Sequence, residues 1–267
     1  MTDLVRIGSE TAKGGFANER DIAQKFREWK TDKEARKWLE RMHYNLNEIV
    51  DVEAIVIPSS EGHKTDVQIK VIVKLKKGFS VENLSVKKAN KDASFNQVDK
   101  RWTDHYKKMW NMPNDVAELL KIFTGEIPAR QLLEEGKITK DKFDSLEDRE
   151  KRRLFLNEFE KRDADKIIRF FMDNKLLVVT DLIKGNDEYS AGWMLVTLYD
   201  EDNDTTTWAL ADINKAISIF GNGDVRISPK GSLYIGNITM QRKGGDGGRE
   251  SANMLQFKIN PSMLFDN

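Results

Sequence analysis

An α/β fold, with a mixed β-sheet flanked by helices, is what the 267-residue sequence predicts, from three observations. Residues 16–30, FANERDIAQKFREWK, put Phe16, Ile22, Ala23, Phe26 and Trp29 on one side of a 3.6-residue period, the pattern of a helix with one buried stripe. In TDVQIKVIVKL (65–75), Val67, Ile69, Val71, Val73 and Leu75 alternate with mostly polar neighbours, as a half-buried strand does. The C-terminal third interleaves further strand-like runs with a helical one, and elements alternating in this way build a sheet covered by helices.

The elements follow in order. After the first helix, KEARKWLERM (33–42) continues the helical period. VEAIVI (52–57) is the first strand, TDVQIKVIVKL the second, KKGFS a turn and VENLSVK (81–87) the returning strand of a hairpin. From Asp99 to Phe123 the aromatic side chains Trp102, Tyr106 and Trp110, with Met109, predict helix. Residues 126–166, from EIPARQLLEEGKITKDKFDSLEDREKRR onward, are charge-dense and mostly helical, and read as an insertion or lobe within one domain spanning 1–267. The strand candidates beyond it are LLVVTDL (176–182), WMLVTLY (193–199), TTTWALA (205–211), SLYIG (232–236), ITMQRK (238–243) and MLQFKI (254–259), with the helix DINKAISIF (212–220) among them. There are no internal repeats.

Composition narrows the function classes. With 44 basic and 44 acidic residues the formal net charge is zero, so bulk charge announces no nucleic-acid partner and only local patches could serve one. The absence of cysteine excludes disulfides, cysteine-based zinc sites and a thiol nucleophile, and fits an intracellular protein. No uncharged run approaches the roughly 20 apolar residues needed to cross a bilayer, and MTDLVRIGSETAKGGF lacks the apolar core of a signal peptide, so the expectation is a cytoplasmic protein without a membrane partner.

Four features stand out against this background. Glu19 falls between Phe16 and Ala23 on the apolar side of the first helix, where a carboxylate is costly unless it meets a cation or a metal. Asp66 opens the strand that pairs with the one ending at Lys87; because side chains alternate, Ser85 and Lys87 share a face while Val86 points the other way. An acid opening one strand, followed by a polar group and a lysine two residues apart on the next, is the layout of the PD-(D/E)XK nucleases. Phosphodiester hydrolysis needs a divalent cation to stabilise phosphate charge, and a lysine can position or deprotonate water. Oxygen ligands suit Mg²⁺, so Asp66 and the Val86 carbonyl form a minimal set, with Glu19 as an outer ligand. Spacing alone makes this pattern unspecific in so charged a chain.

The third feature is SFNQVDKRW (94–102), where Phe95 could act as an aromatic wedge, and Asn96, Gln97 and Lys100 could contact base edges. The same residues also suit a helix start capped by Ser94 or Asn96 with Phe95 as a hydrophobic staple. The fourth is MQRKGGDGGRESANMLQFK (240–258), whose glycines expose backbone N–H groups among Arg242, Lys243 and Arg249, a setting for a phosphate or a flexible hairpin tip. It is neither a dinucleotide loop nor a P-loop, which requires Gly-Lys-Ser/Thr.

IGSETAKGGFANERDIAQKF, TDV, SVKKAN…FNQVDKRW and ISPKGSLYIGNITMQRKGGDGGRESANMLQFKINPSMLFD together resemble the HinP-type type II restriction endonucleases, which cut GCGC. The likeness runs over nearly the whole chain and thins near 126–155. It implies a PD-(D/E)XK fold, Mg²⁺-dependent hydrolysis of double-stranded DNA leaving 5′-phosphates, and a companion DNA methyltransferase acting on the same site, with the enzyme a monomer or dimer. By this resemblance Asp66 is the metal-binding aspartate, Lys87 the catalytic lysine and Glu19 a helix glutamate beside the metal. Phe95 enters the base stack, Gln97 and Lys100 reach bases beside it, and Gln241, Arg242 and Lys243 match a DNA-facing QRK.

One position departs from the pattern. Ser85 stands where the family has glutamine and the wider superfamily an acid, and a serine could reach a metal only through water. Two other readings therefore stay open: a structure-specific or repair nuclease of the same fold, and a catalytically weak DNA-binding protein. His43, His63 and His105 are scattered and carry no role.

Overall fold

The computed structural model describes residues 16–57, 67–90, 95–148, 150, 152–200, 202–245 and 249–266. These fall into two compact units. The first comprises the described residues up to Asn96, Thr180–Ile219 and those from Asn260 on; the second is Gln97–Val179 and Phe220–Ile259.

The first unit opens with helix α1, residues 16–27, followed by α2 (Lys33–Arg41). Asp32 caps α2, its carboxylate accepting from the backbone N–H of Glu34 and Ala35 at 2.9 and 2.8 Å, which satisfies two donors that the first turn leaves unpaired. A five-stranded sheet takes the order β1 (Ile49–Val56), β2 (Val67–Leu75), β3 (Gly78–Asn90), β5 (Trp193–Asp200), β6 (Thr205–Asp212). β1 to β3 form an antiparallel meander, β3 and β5 run parallel, and β5 and β6 are antiparallel. The parallel step requires a crossover, and the chain between these strands supplies most of the second unit.

The alternation anticipated in the sequence sets the core. Ile69, Val71 and Val73 are fully buried and join Leu84, Val86, Leu195 and Leu210 with Ile22, Phe26, Trp38 and Leu39 of the two helices. The Phe26 and Trp38 rings lie 5.2 Å apart. Burial of each is worth about 2–3 kcal/mol. Arginines of the helices meet backbone carbonyls of the two edge strands: Arg27 donates to Ala54 at 3.0 and 2.7 Å, and Arg41 donates to Leu210 at 2.9 Å.

The second unit has its own sheet, order β4 (Asn96–Arg101), β10 (Leu255–Ile259), β9 (Ile238–Arg242), β8 (Leu233–Ile235), β7 (Val225–Ile227). Its helices include α3 (Thr103–Met109), α4 (Asn114–Thr124), α5 (Ala129–Glu134), α6 (Lys140–Ser145) and α7 (Lys161–Asp173). Aromatic packing holds α3 to the sheet: Tyr106 stacks on Trp110 at 4.7 Å, and Phe257 of β10 meets both rings edge-on at 5.1 and 5.7 Å. Gly236, with φ 60°, turns β8 into β9; a Cβ there would stand 2.6 Å from the Gly221 carbonyl oxygen, so no other residue fits. Residues 126–166 lie in this unit, and Ala129, Leu132, Leu146 and Leu154 form a small apolar cluster there.

Three expectations change. Residues 99–101 end a strand rather than begin a helix; α3 starts at Thr103, whose N–H and hydroxyl both donate to Glu126 Oε1, and neither Asn96 nor Phe95 is part of a helix start. LLVVTDL is not a strand but most of helix α8 (Lys175–Ile183). There Val178, Val179, Leu182 and Ile183 are buried while Leu176 and Leu177 are exposed, a helical spacing that a short apolar run conceals. The strand β7 was not anticipated. The helix at 212–220 is α9 (Ile213–Gly221).

Candidate active site and nucleic-acid interface

β3 carries the catalytic candidates through the middle of the first sheet. Ser85 and Lys87 are 1% and 6% exposed, share a face, and pair in register with Met194 and Val196 of β5. Both neighbours are buried, so the lysine is held out of bulk water along its length. An ammonium group is kept in such a place only where anionic or dipolar neighbours offset its lost hydration. Val86 is 5% exposed on the opposite face and belongs to the core beneath the helices. Lys88, beside it, is exposed, with its ammonium 5.9 Å from the Tyr199 ring centroid, as expected for a solvated residue.

Asp66 lies outside the described residues. It directly precedes Val67, the β2 residue paired with Ser85. On α1, Glu19 continues the stripe of Ala23 and Phe26, and its Oε2 is sealed from solvent. Phe16 does not share that stripe; it is 49% exposed. A cleft of about 310 Å³ opens between α1, α2 and the sheet, lined by Asn18, Asp21, Lys25, Trp38, Thr197 and Trp208 among others. Lys25 bridges to Glu34 at 2.5 Å within it.

Among the described residues no group of three histidine, aspartate or glutamate side chains is placed to hold a metal ion. What β3 offers is oxygen chemistry: the Val86 carbonyl and, through water, the Ser85 hydroxyl, with Asp66 directly preceding the paired residue Val67. Such donors fit a hard cation such as Mg²⁺ and suit no soft metal.

The DNA-contact candidates divide between exposed and built-in groups. Phe95 is 54% exposed, and Lys100 is exposed on β4. Asn96 donates through Nδ2 to the Lys88 carbonyl at 3.1 Å. In the second unit, Gln97 and Gln241 are brought together by a residue not anticipated, Gln256. Gln241 Nε2 donates to Gln256 Oε1 at 3.3 Å, and Gln256 Nε2 donates to Gln97 Oε1 at 2.6 Å, across strands β9, β10 and β4. Gln256 carries no sequence signal of its own within MLQFKI; strand register alone places it between the other two.

Arg242 turns to the other side of β9 from Gln241. Its guanidinium donates to Asn253 Oδ1 at 3.2 and 2.7 Å, and Asn253 donates to the carbonyl of Gly125, the left-handed cap of α4. Burial lowers the Arg242 guanidinium, and burial together with the charge of Arg242 brings Arg153 down to about 10. Arg153 lies over the Phe155 ring at 4.2 Å and donates to the Phe123 carbonyl at 3.3 Å. Lys243 N–H donates to Met254 O at 2.9 Å, and Gly244 and Gly245 both take positive φ in the following turn; residues 246–248 lie outside the described residues.

Among the described residues no helix is long and apolar enough to cross a membrane. No curated protein sequence matches the chain. Its fold is similar to that of the restriction endonuclease MspI, solved in complex with its cognate DNA, with a TM-score of 0.60 over 97% of this chain and 93% of that one. Identity between the two is 10%, so this likeness concerns the fold alone. A family model described as R.HinP1I restriction endonuclease matches residues 42–265, a span that includes both sheets, Ser85, Lys87 and the glutamine chain. The chain therefore belongs to the R.HinP1I restriction endonuclease family.

Proposed function

We propose that this type II restriction endonuclease is a PD-(D/E)XK enzyme that hydrolyses double-stranded DNA at GCGC in a Mg²⁺-dependent reaction, leaving 5′-phosphates. The observation that carries the reading is the burial of Ser85 and Lys87 side by side on β3, at 1% and 6% exposure, next to the start of β2. A lysine held this firmly has few ways to direct its ammonium, which is what orienting a single attacking water demands.

Asp66 and the Val86 carbonyl would hold the Mg²⁺, with Glu19 as outer ligand. When bound, that ion supplies charge stabilisation at the scissile phosphate and lowers the pKa of water. The chain's own part is then positional. Lys87 orients the attacking water and helps take its proton, while the sheet's packing on both faces of β3 keeps bulk water from competing. Ser85 contributes a hydroxyl too short to reach a metal directly, so it donates or accepts through water. Phe95, exposed ahead of β4, enters the base stack; Gln97 and Lys100 reach bases, while Gln241, Arg242 and Lys243 engage the duplex. Salt-sensitive phosphate contacts add affinity without specificity. Acting in the cytoplasm, such an enzyme needs a companion methyltransferase to protect the host's own sites.

Incubation with plasmid DNA, with and without Mg²⁺, and sequencing of the ends test the reading. Discrete fragments with one tetranucleotide at every 5′-phosphorylated end are expected. Retention without cutting would make the protein a DNA binder, and ends with no common sequence would make it a structure-specific nuclease.

A further inference from the structure

Three glutamines on three adjacent strands form one hydrogen-bonded line with a direction. Gln241 Nε2 donates to Gln256 Oε1, and Gln256 Nε2 donates to Gln97 Oε1. Gln256 donates on one side and accepts on the other, so turning its amide alone would break both bonds. The middle member is buried, at 7% exposure, between Leu255 and Phe257, both fully buried on the opposite face. Gln97 and Gln241 are only partly buried. The line therefore begins near the surface, passes through a buried amide and ends at the surface again. At that end one lone pair of Gln97 Oε1 is engaged by Gln256, and among the described residues no hydrogen bond from its NH₂ accompanies it.

We infer that Gln256 is a positioning residue for base recognition: through the Gln241–Gln256–Gln97 line it draws the Gln97 oxygen inward and biases its NH₂ towards the base, which suits the acceptor edge of guanine. This rests on the reading that Gln97 meets a base. The chemistry follows from the base edges. Guanine shows two acceptors, O6 and N7, in the major groove, and an NH₂ with no competing oxygen suits them. Adenine shows an acceptor beside a donor, and its usual partner is an amide that offers both its groups. A Gln97 whose oxygen is drawn towards Gln256 forms that pair less well. Discrimination between guanine and adenine thus comes from a residue that touches neither. Because the middle amide is buried, water competes poorly for its hydrogen bonds, and the preference persists when DNA arrives.

The test reads a ratio rather than a rate: cleavage of a duplex with the cognate site relative to duplexes with each guanine in turn replaced by adenine, its pairing partner changed to match. Gln256→Met preserves volume and removes both hydrogen bonds; it is expected to lower the guanine-over-adenine ratio at one position by roughly tenfold, the loss of one base-specific contact. Gln256→Glu offers only acceptors, so Gln97 must donate inward and present its oxygen; the ratio at that position is expected to fall further. Thermal melts identify which of the two variants folds, and either folded variant alone decides the outcome. Unchanged ratios in the folded variants, alongside a Gln97→Ala variant whose ratio falls, would overturn the role of Gln256 while leaving Gln97 at the DNA. An unchanged ratio in Gln97→Ala itself would overturn the underlying reading, and this one with it.

Discussion

Replacing Lys87 by methionine separates chemistry from architecture. Lys87 is 6% exposed, so truncation to alanine would remove about three buried methylene groups and open a cavity, at roughly 0.8 kcal/mol per group before any loss of chemistry. Methionine keeps most of that volume and removes only the ammonium. If Lys87 moves a proton from water, its loss should slow cleavage by about 10²–10⁴-fold, or roughly 3–5 kcal/mol on the barrier at 1.36 kcal/mol per tenfold. Binding of the cognate duplex should change by less than about threefold, since a group acting only in the transition state contributes little to ground-state affinity. Single-turnover cleavage in Mg²⁺, with gel-shift binding in Ca²⁺ and a thermal melt as a check on folding, reads all three quantities. Cleavage within about threefold of the parent would remove Lys87 from the mechanism. A parallel loss of binding and melting temperature would make it a structural ion-pair partner instead.

Ser85→Asp restores an acid at the one neutral position of the cluster and should lower the Mg²⁺ concentration for half-maximal cleavage; an unchanged titration curve would separate position 85 from the metal. Phe95→Ala, at a side chain 54% exposed, should leave the melting temperature within about 1 °C, because exposed substitutions shift stability little, yet slow cleavage and abolish the fluorescence rise of 2-aminopurine placed at the centre of the site. Tyr44 donates to Glu82 Oε1, and burial, followed by that bond, raises its hydroxyl to about 12 from an ordinary 10. The folded state thus holds the proton more tightly than the unfolded chain, so this contribution is complete below pH 10 and disappears as pH rises towards 12. Chemical denaturation of the parent and Tyr44→Phe should accordingly show a stability gap that is constant to pH 10 and closes above it; a gap independent of pH would deny the coupling.

The β1–β2–β3 meander was legible because each strand is a short local pattern of period two, and the hairpin turn lies within it. The active-site pair was legible for the same reason: alternation alone puts Ser85 and Lys87 on one face. Helix α8 was not, because Val178, Val179 and Leu182 satisfy strand and helix patterns equally over so few residues. β4 was hidden by Trp102, Tyr106 and Trp110, whose helical spacing drew the boundary too early; the helix begins only where Glu126 satisfies the Thr103 donors.

By itself, the sequence determined the local elements, the side of β3 on which a lysine and a serine stand, and the family resemblance carried by its N- and C-terminal motifs. Beyond the hairpin, only tertiary structure decided which strands are neighbours. The parallel pairing of β3 with β5 joins Lys87 to Val196, and the pairing of β4 with β10 brings Gln97 to Gln256, residues still more remote along the chain. Side-chain periodicity reports which face a residue takes, whereas the identity of its neighbour depends on register between segments that meet only when the whole sheet forms. Gln256 therefore looked like one polar residue in an ordinary strand until the fold set an amide on either side of it.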